Sequence, residues 1–386
     1  MLILHVITGL KCGGAEKQLA ELVLQSDRGR FRHVVISLLE GGVVAEELLR
    51  RGIEVRSLGM HRRSTPIWGI VKLRRVIKQL KPDVVHCWLY HACLIGLLCS
   101  CLSGGTRVIW GLRSVATKSA GYRFSTMWVV RLCARLSGAV DCIVFNSEEG
   151  RRVHCGLGYS DHNVKTIENG VDTARFHPDV SARYSVRRML GLPADAMLIG
   201  MYAGYRPAKD HETFAQAANI IVRKRQGVVF LLAGEGIDSL NRDLVTLLEK
   251  NNLKPHVHLL GPRRDMETLN AALDVASLSS RSESFPNAIL EAMACGVPCV
   301  ATQVGDMARI IGDTGLVVPP QDAQALADAW AALLRLPLAE RQRLGMKARS
   351  RIVQNFAMQT NCRSYEDLYM ELLRTGSACG SPQTVM

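Results

Sequence analysis

Residues 279–298 read Ser279-Ser-Arg-Ser-Glu283-Ser-Phe-Pro-Asn287-Ala-Ile-Leu-Glu291-Ala-Met-Ala-Cys-Gly-Val-Pro298. An apolar run, Val275–Leu278, precedes this stretch and reads as a strand, and a polar loop follows it. Pro286 suits a first helical turn, while Gly296 and Pro298 close the helix. Glu283 therefore belongs to the loop and Glu291 to the helix, about 10 Å apart at helical rise. Between them lie the first amides of the helix, those of Phe285, Asn287 and their neighbours, which no helical carbonyl takes. Such a turn suits an anion. One carboxylate can accept hydroxyl hydrogen bonds from a hexose, the helix start can hold a diphosphate, and the other carboxylate can take a ribose diol. The same residues also fit an acidic helix start with a solvated glutamate, and spacing alone leaves both readings open.

The rest of the chain sets the frame. At 386 residues it is long enough for two domains. Hydrophobic residues make up 48 % and charged residues 22 %, which excludes extended disorder and a coiled coil. Thirteen short apolar runs alternate with longer amphipathic stretches, as in parallel sheets covered by helices. Seven are expected in the first half, at 2–8, 33–38, 54–58, 83–87, 107–110, 141–145 and 164–167. Six are expected in the second, at 197–202, 228–233, 257–260, 275–278, 299–301 and 315–317. The fold class is α/β, with two Rossmann-like, doubly wound domains facing a cleft. Asn169–Pro178 reads as a linker. The expected domains are 1–180 and 181–360, with 376–386 a flexible tail.

The twelve cysteines lie in apolar stretches with no C-x-x-C pair, which favours buried reduced thiols and a cytoplasmic protein. The N-terminus has no signal-peptide pattern. The apolar window Cys87–Leu102 is too short to span a bilayer and reads as a core helix. No D-x-D or H-E-x-x-H pattern is present, so no metal is expected, and His256 with His258 reads as packing on one strand face. Gly9-x-x-x-Gly13-Gly14 is not a dinucleotide fingerprint.

The order of several short motifs carries a resemblance: Gly13-Gly14-Ala15-Glu16, Asn146-Ser147-Glu148, Asn169-Gly170-Val171-Asp172, Lys209-Asp210-His211-Glu212-Thr213, Gly234-Glu235-Gly236, Leu260-Gly261 and Gly305-Asp306. Together with the glutamate pair, they resemble glycosyltransferase family 4, retaining enzymes of GT-B architecture that include bacterial makers of polysaccharide and lipid-linked glycans. The resemblance implies that Glu283 contacts the donor hexose, Glu291 the ribose and Lys209 the diphosphate. It implies further donor contacts from Gly13, Gly14, Ser284, Phe285, Pro286, Asn287, Gly234, Gly261 and Arg263. It also implies a C-terminal helix, 361–375, packed back on the first domain. The donor is expected to be a UDP-sugar by analogy, with no cofactor and no metal.

Two departures stand out. The family usually places an arginine five or six residues before the phosphate-binding lysine, where this chain has Gly204 and Ala203. Arg206 either substitutes from a shifted place on the same loop or is a solvated charge beside Pro207. Two cations would stabilise the departing diphosphate better than one, which assigns Arg206 to catalysis with Glu283 and Lys209. Arg113 stands where many relatives have a histidine near the acceptor. It can bind an acidic acceptor or a donor phosphate, which makes it an acceptor-site candidate with His86 and His91, and it is a surface arginine otherwise.

Residues 1–180 carry 25 basic against 15 acidic residues. In 67–81, Ile70, Leu73, Ile77 and Leu80 share one helical face while Lys72, Arg75 and Lys78 fall elsewhere, as in an interfacial helix. With Arg50, Arg51, Arg62 and Arg63 nearby, an anionic membrane surface is the expected partner. Nucleic acid is not, because aromatics are 5 % of the chain and do not interleave with the basic residues. These readings predict transfer of a hexose to a lipid-linked or polysaccharide acceptor at the cytoplasmic membrane face. A GT-B sugar-nucleotide epimerase and a catalytically inactive nucleotide-binding subunit are the alternatives.

Overall fold

Every one of the thirteen apolar runs forms a strand in the computed structural model, which describes residues 1–11, 13–60, 67–101, 106–114 and 124–374. Arg62, Arg63, Leu102 and the tail 376–386 lie outside the described residues. The chain forms two compact units. The described residues up to Gly170 and those from Met358 make the first, and Val171–Ala357 make the second.

The first unit runs β1 (Leu2–Ile7), α1 (Gly14–Gln25), β2 (Arg32–Ser37), α2 (Val43–Arg50), β3 (Glu54–Ser57), α3 (Ile67–Leu80), β4 (Val84–Trp88), α4 (Tyr90–Cys101), β5 (Arg107–Leu112), α5 (Phe124–Leu136), β6 (Cys142–Phe145), α6 (Glu148–Gly156) and β7 (Val164–Thr166). The strands pair in parallel in the order β3-β2-β1-β4-β5-β6-β7. The second unit runs α7 (Val180–Met189), β8 (Met197–Tyr202), α8 (His211–Lys224), β9 (Val228–Ala233), α9 (Arg242–Lys250), β10 (Val257–Leu259), α10 (Met266–Ala271), β11 (Val275–Leu278), α11 (Asn287–Ala294), β12 (Cys299–Thr302), α12 (Met307–Ile311), β13 (Leu316–Val318), α13 (Ala323–Arg335) and α14 (Leu338–Asn355). Its sheet is parallel, in the order β10-β9-β8-β11-β12-β13. Buried on both faces, the central strands of each sheet form nearly continuous apolar runs, which makes them readable in the sequence.

The last helix, α15 (Met358–Arg374), joins the first unit. Met358, Cys362, Tyr365, Leu368 and Tyr369 bury their side chains with those of α1 and α2 on one sheet face. Ser26 Oγ and the Asp27 amide both donate to Glu366 Oε1, at 2.7 and 2.8 Å. The other sheet face is covered by α3, α4 and α5. In the second unit, Trp330 of α13 is fully buried against Phe214 and Phe230 and donates to Ser277 Oγ at 3.0 Å. Asp274, just before β11, is buried and paired with Arg183, Arg187 and Arg341 at 2.8, 2.8 and 3.0 Å.

Three local expectations change. Cys87 and Trp88 end β4, and among the described residues of the apolar window only 90–101 are helix, because Leu89 at φ 69° breaks the chain between them. His256 closes a 3-10 turn and only His258 lies in β10, so the two do not share a strand. Pro286 caps α11 rather than starting it. Ten cysteines are described; all are free, and eight are buried.

Candidate functional site

The loop after β8 and the loop after β11 meet through a lattice of hydrogen bonds. Beyond β8 the chain enters a 3-10 turn, Pro207–Lys209, and Asp210 follows in a left-handed conformation, φ 51° and ψ 57°. That conformation lets Asp210 cap α8. Its carboxylate accepts from the Thr213 amide at 3.3 Å and from Thr213 Oγ1 at 2.7 Å. Arg281 Nη2 donates to the same carboxylate at 2.8 Å, and the Arg281 amide donates to the Ala208 carbonyl at 2.8 Å. Ser279 Oγ lies 3.0 and 2.9 Å from the Lys209 and Asp210 carbonyls. Burial pushes the Asp210 carboxyl up, but its bonds from Arg281 and Thr213 outweigh this and hold it below the usual range.

This lattice fixes Lys209 against Glu283. Lys209 Nζ donates to Glu283 Oε1, and Ser280 Oγ donates to the same oxygen at 2.6 Å. Ser280 is held in turn by Thr302 Oγ1, which donates to its carbonyl at 2.6 Å. The two charged side chains are 25 % and 11 % exposed, so their field is screened less than that of a surface pair. His211, two residues past Lys209, is kept neutral: burial first, and then the Lys209 charge, lower its pKa to about 4.

A buried stretch, Ser284, Phe285 and Pro286, leads into α11, and the Phe285 ring lies 5.7 Å from that of Phe356. The Phe285 side chain thus belongs to the core of the second unit. Asn287 opens α11 and Glu291 lies one turn on, both half-buried. The amino end of α11 carries the positive end of its dipole toward this loop.

Arg206 lies at the mouth of the 3-10 turn, 63 % exposed, and pairs with Glu235 at 3.0 Å. A β-carbon built on Gly204 would stand 3.8 Å from Arg206 Nε. Gly234, at φ 148°, is required by the backbone: a β-carbon there would come within 2.6 Å of the Ala203 carbonyl. Gly261, at φ 64°, has nothing within 4 Å of where its β-carbon would be, and its carbonyl accepts from the Gly234 amide at 2.9 Å. Arg263 is held by both oxygens of Asp265, at 2.8 and 2.6 Å. Asp210, Ser280 and Arg281 were not among the candidates read from the sequence. The spacings Asp210-x-x-Thr213 and Ser280-x-x-Glu283 were the available signals.

The remaining candidates lie in the first unit. Gly13 caps α1, with Gly14 as its first residue, and the Glu16 carboxylate folds over Gly13. Arg113 is buried rather than a surface charge. It donates to Tyr365 Oη at 2.8 Å and to Asn169 Oδ1, with its guanidinium 5.0 Å from the Trp88 ring centre. His86 is fully buried in β4, bonded to Tyr369 Oη at 2.9 Å and stacked on Trp88. With no exposed surface it cannot meet an acceptor directly, which corrects that expectation. His91 is half-buried in the first turn of α4.

The family model described as Glycosyltransferase Family 4 matches residues 12–175, and Glycosyl transferases group 1 matches 196–335. The chain belongs to glycosyltransferase family 4. It is 32 % identical over 222 residues to a D-inositol 3-phosphate glycosyltransferase of Saccharomonospora viridis, an alignment covering 54 % of this chain and 50 % of that protein. The chain thus spans half the length of that relative. It is 25 % identical over 314 residues to the UDP-Gal:alpha-D-GlcNAc-diphosphoundecaprenol alpha-1,3-galactosyltransferase of Escherichia coli, covering 79 % of each. Anabaena HepE, solved in complex with UDP and glucose, superposes with a TM-score of 0.85 at 21 % identity, over 96 % of this chain and 100 % of that one. The fold of this family 4 member is GT-B, built on two Rossmann-like units.

Proposed function

We propose that this protein is a retaining glycosyltransferase that moves a hexose from a UDP-sugar to a lipid-linked or polysaccharide acceptor at the cytoplasmic membrane face. The observation that carries the reading is the Lys209–Glu283 pair, brought together from loops 74 residues apart at the amino end of α11. A sugar nucleotide suits this arrangement. Its phosphates would take Lys209, its hexose hydroxyls would take Glu283, and its ribose would reach Glu291 one turn along α11. As the glycosidic bond to the diphosphate breaks, negative charge grows on the leaving oxygens, and Lys209 with Arg206 would offset it. Ser284, Asn287, Gly234, Gly261 and Arg263 are the further donor contacts of this reading, with Gly13 and Gly14 in the first unit.

The UDP-sugar donor is supported by the UDP-Gal in the name of the Escherichia coli relative and by UDP in the Anabaena structure. The lipid-linked acceptor is supported by the diphosphoundecaprenol in the name of the former. Among the described residues no helix is long and apolar enough to cross a membrane, so contact through them would be peripheral. A thermal-shift screen tests the donor: UDP and UDP-sugars should raise the melting temperature more than GDP or ADP. Incubating the protein with the stabilising UDP-sugar and no acceptor should yield no new hexose isomer. A new isomer would instead mark an epimerase.

A further inference from the structure

Two tryptophans break the rule that the other three obey. Trp88, Trp110 and Trp330 are fully buried, whereas Trp68 of α3 and Trp128 of α5 are 70 % and 55 % exposed. Phe124, also in α5, is 77 % exposed and meets Trp128 edge-on at 6.0 Å. Both helices lie in the same layer with α4, on one face of the first unit's sheet. In a parallel sheet such helices run back against the strands, so their opening turns share the edge at the strands' carboxyl ends. Trp68 and Phe124 belong to those opening turns, and Trp128 follows one turn along α5.

The stretch of sequence that carries them is one-sided in charge, although Arg107 is paired with Asp141 and Arg113 is buried. Between Glu54 and Asp141 the sequence holds 14 Lys and Arg residues and a single acid, Asp83. On α3 the exposed positions Trp68, Lys72 and Arg75 follow one another at helical spacing, and on α5 Phe124, Trp128, Arg131 and Arg135 do the same. Each helix therefore leads with an aromatic ring and trails with cations one to two turns further along. The Arg131 guanidinium lies 5.8 Å from the Trp128 ring centre. Leu98 of α4 and Leu132 of α5 add exposed apolar surface.

We infer that the outer surface of α3, α4 and α5 is a docking face for an anionic lipid bilayer. Trp68, Phe124 and Trp128 would enter the interface, and Lys72, Arg75, Arg131 and Arg135 would meet the headgroup phosphates. Aromatic rings beside cations are the chemistry that such an interface selects. A second copy of the chain is a poor occupant, because two faces of the same strong positive charge would repel. The inference deepens the membrane reading above and rests on it for the acceptor, but it stands apart from the donor site.

Flotation of the full chain with phosphatidylcholine vesicles, with and without phosphatidylglycerol, tests it. The protein should float with the anionic vesicles only, and high salt should release it. The triple variant Trp68→Ser, Phe124→Ser, Trp128→Ser should lose at least about tenfold of that binding, while UDP binding and the far-ultraviolet circular dichroism stay unchanged. Brominated lipid should quench part of the wild-type tryptophan emission and none of it in Trp68→Phe, Trp128→Phe. Equal flotation of the triple variant, absence of quenching in the wild type, or a dimer dissolved by the same substitutions would overturn the inference. Vesicle binding without UDP binding would support the docking face and count against the donor site instead.

Discussion

Arg206 Nε lies 3.8 Å from the point where a β-carbon on Gly204 would stand, and the same guanidinium pairs with Glu235 at 3.0 Å. The Arg206 side chain thus passes beside the point from which an arginine at 204 would start. Arg206→Ala should lower kcat for sugar transfer by about 100-fold, the cost of one missing charge donor at a leaving group. Gly204→Arg in that background should restore part of it. Steady-state kinetics with a UDP-sugar decides, and an Arg206→Ala enzyme of full activity would show that Arg206 is only a solvated charge.

Glu283→Gln keeps the size of the side chain and removes its charge. Ser280 and Lys209 can still bond to the amide oxygen, so the fold should hold. Turnover should fall by about 1,000-fold, with UDP affinity little changed, because in the proposed donor site the substituted group would face the hexose rather than the nucleotide. Single-turnover rates and UDP titration separate the two.

The strands and the 279–298 segment were legible because their signals are local. Buried parallel strands announce themselves as short apolar runs, and a glutamate pair around a helix start can be read from one short stretch. What was not legible depends on partners far away in sequence. Arg113 looks like a surface residue until Tyr365 and Asn169 close over it, and His86 looks polar until Tyr369, 283 residues on, covers it. The docking of α15 on the first unit has no local signal either, and came only from the family resemblance.

Asp274 carries much of the second unit's polar order. Its carboxylate pairs with Arg183, Arg187 and Arg341 and also accepts from the Leu198 amide at 2.9 Å. Asp274→Ala leaves Arg187 and Arg341 buried without their counter-charge. Stability should fall by about 3 to 5 kcal/mol, read from urea unfolding.

Buried neutral histidines should make the protein acid-sensitive. Burial lowers His33 and His154 to about 4 each, and His5 and His86 well below the ordinary value of 6.5. The unfolded chain then binds more protons between pH 6.5 and 4, so this stability is complete above pH 6.5 and is lost as pH falls toward 4. The urea midpoint should drop across that window, with little change from about pH 7 to 8.

If the 280–291 segment and Lys209 hold a UDP-sugar, Glu291 takes the ribose, and isothermal titration of UDP into wild-type and Glu291→Ala protein is the most direct test. The affinity should be at least about tenfold weaker in the variant, through loss of a charged hydrogen-bond acceptor at the ribose. Equal affinity in the two proteins would contradict the assignment of this segment to the donor.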